Sequence, residues 1–126
     1  MPPAKQELVF LDASRAVIDL RKLANYALDP MHAVGGPKAR VIKAALGFEK
    51  IDVEALAIQI RDGLVTNPAT PGKIDEYGAR FSVDIFVIGP KGSATLRTGW
   101  IFDTGSDFPR LTTAFVKGEK REARNS

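Results

Sequence analysis

Apolar and polar positions alternate most regularly in the second half of the chain. Over residues 80–88 the apolar side chains Phe81, Val83, Ile85 and Val87 fall on one face, which is the period of a half-buried strand. Gly89-Pro90-Lys91-Gly92 then reads as a turn, and residues 93–102 as the returning strand. A four-residue connection pairs Ile88 with Ser93. It sets Phe81 opposite Trp100, Val83 opposite Thr98, Ile85 opposite Leu96 and Val87 opposite Ala94. Apolar meets apolar along nearly the whole face, as a defined register requires. On the other face the same register sets Asp84 opposite Arg97. A third strand is predicted over residues 110–116, after a loop at residues 103–109.

The first half reads differently. Two short apolar runs, residues 8–11 and 16–18, flank Asp12-Ala13-Ser14-Arg15, which suits the turn of a small hairpin. Leu20, Leu23, Ala24, Ala27 and Leu28 recur at helical spacing until Pro30 ends the pattern. Gly35-Gly36 supplies backbone freedom in the loop at 31–36, and Pro37 suits the first position of a second helix that stops at Gly47. Asp52 is placed as the N-cap of a third helix, with Val53, Leu56, Ala57, Ile60 and Leu64 as its stripe. Residues 67–77 hold two prolines and a glycine and read as a long loop. Helices that precede an antiparallel sheet define an α+β fold: an N-terminal hairpin or short strands, three helices, then three antiparallel strands. Residues 1–116 form one domain, and residues 117–126 a basic, frayed tail.

Length and composition narrow the function classes. The chain has 126 residues, 44% apolar and 26% charged, as ordinary globular domains do. No cysteine is present and only one histidine, which excludes disulfides, thiolate catalysis and multi-histidine metal sites. No cofactor is expected. The longest uncharged apolar run, residues 85–90, is far short of a membrane span. No apolar region follows a basic start, so the expected location is cytoplasmic. Net charge is +3. The last ten residues hold four basic and two acidic side chains, and residues 1–116 hold fourteen against thirteen. The body is therefore nearly neutral, and any anion site must be a local cluster.

Five residues are singled out for chemistry by their own context. His32 lies in a loop beside two glycines and serves either as an acid, base or phosphate contact, or as the partner of a local hydrogen bond. Lys38 falls between Ile42 and Ala45 on a helical wheel, where it either reaches a pocket shared with His32 or snorkels past the helix end. Gly-Gly-Pro-Lys lacks the spacing of a phosphate-binding loop. Arg97 forms an ion pair with Asp84, and becomes a phosphate ligand if helices cover its face. Arg110 is an anion contact or a plain strand start, and Thr112 adds a hydroxyl.

Several segments taken in order resemble a bacterial domain-of-unknown-function family. They are Lys22-Leu23 with Asn25-Tyr26-Ala27-Leu28, His32 with Gly35 and Lys38-Ala39, Leu46-Gly47-Phe48, Thr98-Gly99-Trp100-Ile101, and Pro109-Arg110-Leu111-Thr112-Thr113. Members occur as small stand-alone proteins and as C-terminal domains of toxin-like or phage-associated proteins. Members often carry proline after the histidine, where Ala33 stands here. That setting implies a small nuclease-like domain, by analogy with metal-independent ribonuclease toxins. On this reading His32 is base or acid, Lys38, Arg97 and Arg110 stabilise phosphate, and Tyr77 or Thr112 supplies the missing partner. Two other classes stay open: a non-enzymatic interaction module that dimerises through its sheet, and a binder of small anions or nucleotides. The partners these readings admit are RNA or another phosphate-bearing ligand, a cognate inhibitor protein, and a second copy of the chain.

Overall fold

A computed structural model describes residues 15–117. Three helices pack on one face of a four-stranded antiparallel meander of order β1-β2-β3-β4. Helix α1 (Leu20–Lys22) runs directly into a π-helical turn (Leu23–Ala27). Helix α2 spans Gly36–Leu46, and α3 spans Val53–Thr66 behind a 3-10 turn at Lys50–Asp52. The strands are β1 (Ala69–Asp75), β2 (Gly78–Ile88), β3 (Ser93–Asp103) and β4 (Arg110–Val116).

The register read from the sequence is the one found. Phe81 pairs with Trp100, Val83 with Thr98, Ile85 with Leu96, Val87 with Ala94 and Asp84 with Arg97. The inward residues of β2, β3 and β4 meet Ile42 and Leu46 of α2 and Leu56, Ile60 and Leu64 of α3 in one continuous core. Thr98 is fully buried and fully satisfied: its hydroxyl donates to the Val83 carbonyl at 2.7 Å and accepts from the Trp100 indole at 2.8 Å. A Cβ at Gly63 would collide with Ile85, so this glycine lets α3 sit close on β2. Gly47 ends α2 in the left-handed conformation, at φ 84°, and returns its N–H to the carbonyls of Ile42 and Lys43.

The structure corrects four expectations. The sheet has four strands rather than three, because residues 69–75 of the expected loop form β1. β1 is an edge strand, so Pro71 costs no ladder bond that matters, and a bulge separates Pro71 from Ile74. Of the expected hairpin, residues 8–14 lie outside the described residues. The second run instead makes a parallel bridge, Val17 to Arg110, with Val17 N–H donating to the Pro109 carbonyl at 2.8 Å. Asp52 stands at the N-cap position of α3 as expected, but its carboxylate bonds no N–H of that helix. It reaches back to the Glu49 N–H at 2.9 Å and closes a capping box around the 3-10 turn. Finally, Gly35 has φ −82°, which any residue adopts. It is glycine for lack of room: a Cβ there would lie 2.5 Å from the Tyr26 carbonyl oxygen, and one at Gly36 2.5 Å from that of Pro30. The basic tail beyond Lys117 lies outside the described residues.

Candidate functional site

The chain crosses over between Asp19 and Ala27, then returns through the loop at 29–35 to start α2. Asp19 caps α1, its carboxylate accepting from the N–H groups of Arg21 at 3.0 Å and Lys22 at 3.2 Å. The π-helical turn that follows has buried Leu23 and Ala27 as its core face. One extra residue per turn re-aims the side chains between them, as such bulges do at functional sites. Between this segment and β4 lies a groove of about 450 Å³. One wall carries Asp19, Arg21, Lys22, Asn25 and Tyr26, the other Leu111, Thr112 and Thr113, and His32 closes the end.

His32 is fixed by its own loop. Its Nδ1 accepts from the N–H groups of Val34 and Gly35, both at 3.0 Å. An acceptor nitrogen carries no proton, so the neutral ring holds its proton on Nε2. The imidazole meets Tyr26 edge-on, with ring centroids 4.9 Å apart and planes at 73°. Asp29 steadies the same loop: the Met31 N–H and then Lys50, 3.4 Å away, hold its carboxyl below the usual carboxylate range. Gly35, pressed against Tyr26, completes the packing. On the opposite wall Thr113 faces Gly99 across the ladder, and a Cβ on Gly99 would come within 2.8 Å of the Thr113 methyl and 3.3 Å of the Thr112 hydroxyl.

Of the six residues expected to act, the groove gathers His32 and Thr112. Lys38 is exposed and does not line it, because the buried stripe of α2 is Ala39, Ile42 and Leu46. Its ammonium lies 4.5 Å from the centroid of the Phe115 ring. Arg97 sits on the sheet face opposite the helices and grips Asp84 with two hydrogen bonds of 2.8 and 3.0 Å, and Lys117 joins the same carboxylate at 3.1 Å. Arg110 is held equally by Asp103, at 2.8 and 2.9 Å. These guanidiniums pull both carboxyls below the usual range, Arg97 first for Asp84 and Arg110 for Asp103. Tyr77 is exposed at the β1–β2 turn, where its N–H donates to Asp75 at 2.9 Å.

The residues the sequence reading passed over are Asp19, Arg21 and Lys22 as groove side chains. Neither Arg21 nor Lys22 has an ion-pair partner among the described residues. A signal existed: Lys22 and Tyr26 stand four apart, on one side of a helical pattern. No group of three or more metal-ligating side chains occurs among the described residues, and no described helix is long and apolar enough to cross a membrane.

An α+β domain with a groove beside its edge strand β4, apolar for the most part and rimmed by charged and polar side chains, is thus the class that fold and site define. Its sequence matches the model of a family described as a domain of unknown function, DUF6883, over residues 10–118, and the chain belongs to that family. No curated protein and no solved structure matches it significantly.

Proposed function

We propose that the groove binds RNA and cleaves its phosphodiester backbone without a metal ion. The observation that carries this reading is the convergence, from segments some ninety residues apart, of cations with no ion-pair partner among the described residues, an imidazole whose Nδ1 is engaged by backbone amides, and a threonine hydroxyl. In such a reaction the ribose 2′-hydroxyl attacks the adjacent phosphorus and the 5′-oxygen departs. Arg21 and Lys22 neutralise the phosphate in the transition state. With Nδ1 engaged as an acceptor, His32 acts as a donor: Nε2–H bonds a non-bridging phosphate oxygen. Asp19 is the acidic side chain lining the groove, and it spends one oxygen on the helix cap. Its other oxygen takes the 2′-hydroxyl proton, and the Lys22 ammonium returns one to the departing 5′-oxygen. Thr112 and Asn25 orient the sugar and phosphate.

The test is incubation of single-stranded RNA with the protein in excess EDTA, followed by analysis of the new ends for 2′,3′-cyclic phosphate. Two variants separate the roles of the imidazole. His32→Asn keeps an acceptor for the Val34 and Gly35 amides and loses the Nε2–H donor. His32→Gln extends a donor toward the Nε2 position and loses the cap. The reading expects cleavage by the wild type, a large loss in His32→Asn with the fold intact, and partial retention in His32→Gln. No cleavage by the wild type, or equal cleavage by all three proteins, overturns it.

A further inference from the structure

The strand wall of the groove runs from Leu111 to Ala114, and the cationic surface continues beyond it. Phe115 follows Thr113 by two residues and therefore lies on the same face of β4, about 6.8 Å farther along the strand. Lys38, near the start of α2, holds its ammonium 4.5 Å from the centroid of that ring. Lys38 has no carboxylate partner among the described residues. An aromatic face positions an ammonium without neutralising it and leaves its N–H donors free for an anion. Arg97, opposite Phe115 in the register, is already occupied by Asp84 and adds nothing free. Positive charge with no carboxylate partner among the described residues thus flanks β4 at two places, the Arg21–Lys22 wall and Lys38. The step between Thr113 and Phe115 is comparable with the spacing of successive phosphates along an extended strand.

We propose that Lys38, seated on Phe115, is a second phosphate subsite beside the groove, so that the ligand is a single strand of RNA covering at least two successive phosphates along β4. This rests on the reading of the groove as an RNA site. An unstacked strand fits a channel bounded by a helical segment and a strand edge, which a duplex cannot enter. Lys38 thus sets the minimum length of ligand, while the groove does the chemistry.

The test uses 2′-O-methyl RNA, which binds but lacks the attacking hydroxyl. Labelled oligonucleotides of two and four residues, with one and three phosphates, are titrated by fluorescence anisotropy at several salt concentrations. The wild type binds the tetranucleotide more tightly than the dinucleotide. Lys38→Ala removes most of that advantage, leaves the dinucleotide affinity unchanged, and lowers the salt slope for the tetranucleotide by about 0.7, the value of one phosphate contact on a single strand. Phe115→Leu, which keeps an apolar residue on β4 but removes the ring face, shifts affinity in the same direction. Lys22→Ala weakens both lengths. If Lys22→Ala weakens binding but Lys38→Ala and Phe115→Leu leave the length dependence intact, the second subsite is wrong and the groove stands. If the wild type binds neither oligonucleotide, or Lys22→Ala changes nothing, the reading of the groove falls and the subsite with it.

Discussion

Two sets of cations flank strand β4, and they are in opposite electrostatic states. On the sheet face away from the helices and at the β3–β4 end, Arg97 and Arg110 each make two charge-assisted hydrogen bonds to one carboxylate. At the groove, Arg21 and Lys22 have no ion-pair partner among the described residues, and the Lys38 ammonium lies over the Phe115 ring. A guanidinium already gripped by a carboxylate must give up that pair before it can take a phosphate. The groove cations need no such exchange. The first set therefore joins strands, and the second is available to a ligand. Residue type does not distinguish them. The partner does, and the partner is a property of the fold.

The largest effect that sharpens this contrast is expected at Lys22. Lys22→Ala should reduce RNA cleavage by about 10² to 10³, the loss typical of removing one electrostatic stabiliser of a transition state. Lys22 is exposed and has no ion-pair partner among the described residues, so the melting temperature should not move. Parallel thermal melts and single-turnover cleavage rates decide the matter. A fall in stability that accounts for the lost activity would place Lys22 with the structural cations.

Next comes Gly35, which holds the groove in shape rather than entering the chemistry. An added methyl must displace the Tyr26 backbone, 2.5 Å away, or the ring edge, at 3.1 Å. Overpacking of this kind costs about 1–3 kcal/mol. Gly35→Ala should lower the denaturation midpoint and disturb the Tyr26–His32 contact, visible as shifted imidazole resonances. Unchanged resonances and stability would show that the loop yields freely and that His32 is less fixed than its two amide bonds imply.

How much of this was legible in the sequence differs by region for physical reasons. The β2–β3 hairpin could be read to the residue because one face is buried and a one-residue slip would expose Phe81, Val83, Ile85 and Val87 together. The Asp84–Arg97 pair came with that register. Strand β1 could not be read, because from Thr70 to Ile74 it is exposed on both faces and carries Pro71 and Gly72, so no alternation marks it. The groove could be read only in its parts. His32 and Thr112 stand out by chemistry and local context, yet nothing near Thr112 in sequence says that Lys22 lies across from it. The Val17–Arg110 bridge brings these two segments together, and it joins residues 93 positions apart. The stripe of α2 misled by one position: Ala39, not Lys38, turns inward, and a small residue at the flank of an apolar stripe gives little warning.

A smaller effect is expected among the carboxylate-paired cations. Arg97→Ala should leave RNA cleavage unchanged and cost under about 1 kcal/mol of stability, since the pair is partly exposed and Lys117 still reaches Asp84. Urea denaturation and the cleavage assay, run on one preparation, test both halves. A loss of cleavage with unchanged stability would move Arg97 into the ligand-binding set and dissolve the contrast between the two groups.

The smallest effect is the pH dependence of that same pair, and its sign follows from the direction of the shift. Arg97 first, then Lys117, holds the folded-state pKa of Asp84 below its ordinary value. A carboxylate whose folded pKa is lowered contributes stability that is fully present above the unfolded value, about 3.9, and is lost as pH falls through the folded one. Near neutral pH the wild type should therefore be more stable than Asp84→Asn. The gap should narrow below about pH 4, as the protonated carboxyl comes to resemble the amide. Melting temperatures of the two proteins between pH 7 and pH 2.5 measure the gap directly. A difference that persists unchanged into acid would mean that Asp84 holds the β2–β3 ladder by shape and hydrogen bonding rather than by charge. The paired cations of the outer face would then be structural for a reason other than their neutralisation.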